Sequence, residues 1–385
     1  MMISRRNLVA GLGVAAIWPG RALAGAPRMV KASIALEENR VLVAVGMGGQ
    51  GPYIFMIDTG GVVSLVHDSL ARTLKLPIIG HSALGGVGRS DIYPIYLAKD
   101  FVIGGAMRQA NVALVGAGEL RYGRDIEGTL AAGIVTAADT ELDFDAGELR
   151  LYPGGRGARP GYTRIASSIR RLGSRTEESP YIFADIAVNG QNFDCLLDTG
   201  APRVLTLSAN ASRRSRLWDD SRPYAPFRPS GVGGEGMISR LVRADALSLG
   251  GLTIDRPLVA LNPAGSNLSS VGDGIGGLGL IRRFNLSIDA HARCLWVQPS
   301  RQPPAPDHYG LSGLWFDRKG DVAEVAAVGT GSPAAAAGMR VGDRVVGAWQ
   351  ETIAAISRGP GTPVTLAVER DGTKRSVSFT LHPFL

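Results

Sequence analysis

The chain has 385 residues, 45% of them apolar, which is long enough for two or three packed units and too apolar for a disordered chain. Its 52 glycines beside only 10 Phe, 5 Trp and 9 Tyr favour short strands and tight turns over a helical bundle, whose interior glycine would weaken. The formal charge of +7 is mild, and the basic clusters Arg170-Arg171 and Arg213-Arg214-Ser215-Arg216 have no interleaved aromatics, so they read as solvated surface and not as a nucleic-acid site.

Ser4-Arg5-Arg6-Asn7-Leu8 opens an apolar run from Leu8 to Ile17, followed by the small-residue site Ala22-Leu23-Ala24. This pattern predicts an export signal over residues 1–24, with the paired arginines pointing to twin-arginine transport and an ordinary secretory peptide as the alternative. The run is about ten residues, against the ~20 a membrane-spanning helix needs, and no later stretch is longer, so no membrane span is expected. Without Arg5, Arg6 and Arg21 the formal charge falls from +7 to +4. A periplasmic or secreted mature protein follows.

Next comes a repeat. Val41 to Val45, a Gly-rich turn and Tyr53-Ile54-Phe55-Met56-Ile57-Asp58-Thr59-Gly60 correspond to Phe183 to Val188, the turn Asn189-Gly190 and Phe193-Asp194-Cys195-Leu196-Leu197-Asp198-Thr199-Gly200. Each is predicted to be a β-hairpin that delivers Asp-Thr-Gly at the end of its second strand. Gly86-Val87-Gly88 then answers Gly231-Val232-Gly233, and Phe101 to Gly105 answers Leu247 to Gly251, at a near-constant offset of about 140 residues. Closing stretches also match, Leu142-Asp143-Phe144-Asp145 against Leu286-Ser287-Ile288-Asp289.

The expected organisation is mostly β: a first lobe over 25–157, a linker over 158–178, a second lobe over 179–300, a Pro-rich linker over 301–308 and a small α+β unit over 309–385. The two cysteines, Cys195 and Cys294, are read either as a disulfide or as two buried thiols.

One Asp-Thr-Gly would be weak evidence; two at equivalent points of a repeat imply a paired site. If the halves meet about a pseudo-twofold axis, Asp58 and Asp198 share one proton, since two adjacent carboxylates cannot both ionise. One then serves as base toward a water and the other as acid toward a peptide carbonyl, with no metal or cofactor. Thr59 and Thr199 are expected to hydrogen-bond the opposite loop, while Gly60 and Gly200 permit close backbone approach.

These residues resemble the aspartic protease clan, nearest to bacterial retropepsin-like proteins with two Asp-Thr-Gly lobes in one chain, over residues 33 to 300. The resemblance implies a peptide or protein substrate and a Gly-rich flap, for which Gly86, Val87, Gly88, Gly231, Val232 and Gly233 are candidates. It also implies Ala or Ser after the tripeptide and an apolar-apolar-Gly brace. Ala201 and Ile275-Gly276-Gly277 match, whereas Gly61 and Ala131 depart in the first half.

Other motifs carry less. Three dinucleotide-type glycine patterns, at Gly46/Gly48/Gly51, Gly272/Gly274/Gly277 and Gly274/Gly276/Gly279, lack a strand-helix-strand context. His67, His81, His291, His308 and His382 are scattered, with no zinc-type pair and no Gly-x-Ser-x-Gly elbow.

Near the end, Ser332-Pro333 through Gly338 reads as a short capped helix, and Val364 to Leu381 as a hairpin turning at Asp371-Gly372. With Val341-Gly342-Asp343, this order resembles a PDZ domain of the bacterial periplasmic protease type. The resemblance implies capture of protein C-termini near Gly313, Leu314, Trp315 and Phe316. The expected function is an exported aspartic endopeptidase with a PDZ-like domain. Two rivals are a peptide-binding scaffold with protease-like lobes and an enzyme completed by dimerisation.

Overall fold

A computed structural model describes residues 29–85, 90–118, 125–172, 179–231, 234–266 and 272–385. The expected export signal, Gly86, Val87, Gly88, Val232 and Gly233 lie outside these residues. The fold is mostly β, with 51% strand and 10% helix.

In the first half, strands Arg40–Met47 and Gln50–Ile57 form an antiparallel hairpin whose turn residues Gly48 and Gly49 take positive φ. The apolar run Val41 to Val45 is buried throughout, so this strand is covered on both faces. In the second half, Tyr181–Val188 pairs with Gln191–Asp198 around left-handed Asn189 and Gly190. Each Asp-bearing strand is then flanked on its other side by a parallel strand, Ile126–Leu130 or Gly274–Gly277. Leu65–His67 and Leu205–Leu207 repeat the correspondence, each antiparallel to that parallel strand and parallel to a further one.

The halves are joined through backbone as well as side chains. Asp139–Asp143 pairs with Phe284–Asp289 in the register Leu142↔Leu286, Glu141↔Ser287 and Thr140↔Ile288, so the second half's closing strands complete a 13-stranded sheet begun by the first. Val43, Ile57, Leu142, Leu197, Leu286 and Ile288 belong to one continuous core.

Segment 158–178, read from the sequence as linker, contributes strands: Thr163–Arg164 pairs with Trp296 and Val297, and Ser167–Arg170 pairs with Tyr181–Ala184. Its arginine-rich approach is held by charge. Arg159 reaches Asp139 at 2.9 Å and Asp289 at 3.3 Å, and Arg156 lies over the rings of Tyr152 and Tyr162. Buried Glu141 accepts hydrogen bonds from the hydroxyls of both tyrosines.

Residues 314–380 carry a separate five-stranded sheet with its own core of Leu314, Phe316, Val325, Leu366, Val368 and Phe379. Helix Pro333–Ala336 begins as its sequence demands, with Ser332 Oγ accepting from Ala335 N at 3.2 Å and proline in the first turn. This unit sits against strand Ala225–Phe227 through Arg228 to Asp317 at 2.9 Å and Tyr224 hydroxyl to Val328 carbonyl at 2.9 Å.

Candidate active site

Each Asp-bearing strand ends where its parallel neighbour ends, which places a half-buried loop at the lip of the sheet. Asp58 N donates to Leu130 O at 2.9 Å, and Asp198 lies in register with Gly277. Both loops then turn alike, with Gly61 N donating to Asp58 O at 3.1 Å and Ala201 N donating to Asp198 O at 3.3 Å.

The two loops interlock through buried threonines. Thr59 Oγ1 donates to Leu197 O at 2.7 Å and accepts from Thr199 N at 2.9 Å. Thr199 Oγ1 donates to Ile57 O at 2.7 Å and accepts from Thr59 N at 3.0 Å. Every hydroxyl here both gives and receives, so no buried backbone group in the crossing is left unpaired.

Above this crossing the half-buried carboxylates meet. Gly60 N donates to Asp58 Oδ1 at 3.1 Å and also to Asp198 Oδ1 at 3.2 Å, and Gly200 N donates to Asp198 Oδ1 at 2.7 Å. A Cβ at Gly60 would fall 2.6 Å from Asp198 Oδ1, and one at Gly200 2.6 Å from Asp58 Oδ1, so neither position admits a side chain.

Burial raises both carboxyls, which favours the uncharged form. Asp58 is held well above the ordinary carboxylate range, because the charge of Asp198 and a hydrogen bond to it add to desolvation. Asp198 rises less, since the Gly200 amide, the Asp58 carboxyl, and the Ala201 and Gly60 amides all stabilise its ionised form. Two adjacent carboxyls raised in this way favour one shared proton over two charges.

The two sequence departures of the first half leave the loop closure in place. In the second half, Gly277 has no room for a methyl: a Cβ there would approach Ala201 O to 2.5 Å. Its amide bonds Val204 O at 3.2 Å, and Leu278 N bonds Ala201 O at 2.7 Å. In the first half the corresponding residues are Ala131 and Gly61, and a Cβ at Gly61 would meet only Asp58, at 3.3 Å from its carbonyl oxygen. Ala132 N still bonds Gly61 O at 3.0 Å, while Ala131 N turns to the side chain of Ser64, at 3.0 Å from Oγ. Ser64 was not legible as a site residue, though a hydroxyl in place of Val204 was its one signal.

The other expected site residues lie elsewhere. Leu84 and Asp91 are the last paired residues of the hairpin that leads to 86–88, and Ser230–Gly231 pairs with Gly234–Glu235 in a small exposed hairpin. Leu314 and Phe316 are core residues, and Trp315 packs with Tyr309 and Phe384 against the cluster of Ala225, Phe227, Leu241 and Leu258. Phe384 N bonds the Tyr309 hydroxyl at 3.1 Å, and a Cβ at Gly313 would come within 3.3 Å of the Phe384 ring.

Cys195 and Cys294 are free and buried, and burial pushes the Cys195 thiol up. Among the described residues, no three His, Cys, Asp or Glu gather in a group able to hold a metal ion.

A family model described as aspartyl protease matches residues 184–280. That stretch takes in the Asp198 strand, its loop and the Gly274–Gly277 brace, and none of the first half. No curated protein matches the chain.

Proposed function

We propose that this chain is an exported aspartic endopeptidase, with Asp58 and Asp198 as its catalytic pair, one from each of two lobes. The observation that carries the reading is the Gly60 amide within 3.1 and 3.2 Å of both carboxylates, above reciprocal threonine bonds. The family match over 184–280 supports the same chemistry for the second loop.

In this mechanism Asp198, ionised, takes a proton from a water molecule. The water oxygen bonds the peptide carbonyl carbon, the π pair moves onto the carbonyl oxygen, and Asp58 supplies that oxygen with its proton. On collapse, Asp58 recovers a proton from the diol and Asp198 passes its own to the departing amine. The C–N bond breaks and the pair returns to one proton. Thr59, Gly60, Thr199 and Gly200 fix the spacing, and the hairpins leading to 86–88 and 231–233 cover the substrate. The PDZ-like domain over 309–385 sits beside the second lobe, and peptide recruitment at Gly313 to Phe316 requires Phe384 to leave Tyr309.

Digestion of a proteome-derived peptide library tests this. Cleavage that a statine-type mimic of the tetrahedral intermediate blocks, and that chelators leave intact, is the expected result. Peptides bound between mild acid and neutral pH without any cut would instead establish a peptide-binding scaffold.

A further inference from the structure

Arg203 follows Asp198 in the same loop, and its carbonyl accepts from Gly279 N at 3.3 Å, which pins its backbone to the second brace. Its guanidinium lies 4.1 Å from the ring centroid of Phe227. Phe227 is 6% exposed and ends strand Ala225–Phe227, directly before the exposed hairpin that starts at Ser230. Arg203 is thereby lodged between the Asp198 loop and the root of that hairpin.

Its surroundings differ from those of nearby arginines. Arg214 reaches Asp273, Arg228 reaches Asp317, Arg240 reaches Asp220 and Arg243 reaches Asp307. Among the described residues the Arg203 guanidinium has no hydrogen-bond or ion-pair partner, and it stacks on the Phe227 ring. Desolvation, with no acid to offset it, pulls it down to about 10, which still leaves the group charged at neutral pH. Arg203 is half-buried, so its charge is partly desolvated with no acid of the chain beside it, while part of the side chain stays open to an external anion. The planar fork of N–H donors suits a carboxylate bound through two parallel hydrogen bonds.

We infer that Arg203 is a carboxylate-recognising subsite beside the Asp198 loop, which selects peptides carrying an acidic side chain or a free C-terminal carboxylate at that point. This rests on the endopeptidase reading for its substrate class. Arg203 acts on binding and selection, and transfers no proton.

The test compares kcat/KM for peptide pairs that differ only in Glu against Gln at each position around the cut, and for pairs with free against amidated C-termini. For the full chain we expect a preference of about tenfold or more for one carboxylate source, which also identifies that source. Arg203→Met should bring that ratio to about one, Arg203→Lys should retain part of it, and Arg203→Glu should reverse it. Equal rates for both members of every pair in the unaltered chain, or a preference that survives Arg203→Met, would overturn the inference. If no peptide is cut, the endopeptidase reading fails on its own. Calorimetry with the same peptides on Asp58→Asn and on the Asp58→Asn, Arg203→Met double variant then decides the subsite by binding alone. Affinity for the carboxylate-bearing member must fall when Arg203 is removed.

Discussion

Around Asp198 the loop residue Ala201 carries a methyl and faces Gly277, whereas around Asp58 the loop residue is Gly61 and the methyl belongs to Ala131. Each arrangement closes the loop with an amide bond, Leu278 N to Ala201 O at 2.7 Å and Ala132 N to Gly61 O at 3.0 Å. What is preserved is that amide closure, while the space beside it differs: a Cβ at Gly277 would meet the Arg203 and Ala201 carbonyls, and one at Gly61 only Asp58. The aspartyl protease match covers 184–280, the half that carries Ala201 and Gly277. The geometry of the carboxylates is nonetheless nearly twofold, down to the reciprocal threonine bonds of 2.7 Å.

The comparison can be broken first at the carboxylates. Asp58→Asn and Asp198→Asn should each lower kcat/KM by about a thousandfold or more, because either change removes the one-proton state. A variant that keeps its rate would show that one half works alone. Next come the braces. Gly277→Ala drives a Cβ into the backbone of Ala201 and should destabilise the fold by about 3 kcal/mol by denaturant unfolding. Gly61→Ala, whose Cβ would lie 3.3 Å from Asp58 O, should cost about 1 kcal/mol or less. Equal costs would mean the two loops are equally crowded.

Thr59→Val and Thr199→Val sharpen the symmetry, since each strips one buried carbonyl and one buried amide of partners. Each should cost about 2 kcal/mol and by similar amounts. The smallest effect lies in the pH dependence of stability. A carboxyl raised on folding adds stability that is complete below its unfolded value of 3.8 and fades as pH rises through the folded value. Asp58→Asn should therefore raise Tm relative to the unaltered chain at neutral pH, with the gain shrinking toward acid. Asp198→Asn, whose carboxyl is raised in the same direction, should likewise raise Tm at neutral pH.

The hairpins and the Asp-Thr-Gly loops were legible because their signals are local: apolar runs, left-handed turn residues and a strand end. What the sequence hid depends on contacts between distant residues. The register Leu142↔Leu286 joins strands whose own patterns fit any sheet edge. Segment 158–178 looked like linker because glycine, proline and arginine dominate its start. Arg156 and Arg159 nevertheless cover Glu141 and Asp139, and charges that read as solvated become buried once acids from another strand face them. Gly61 and Ala131 read as departures, and the 3.0 Å bond from the Ala131 amide to Ser64 was not visible beside them.

The shared sheet also sets an order of events during synthesis. Strand Asp139–Asp143 leaves the ribosome with one edge bare, and that edge is closed only when Phe284–Asp289 has been made. Until then the register Leu142↔Leu286 cannot form, so a chain cut before residue 284 cannot complete the 13-stranded sheet.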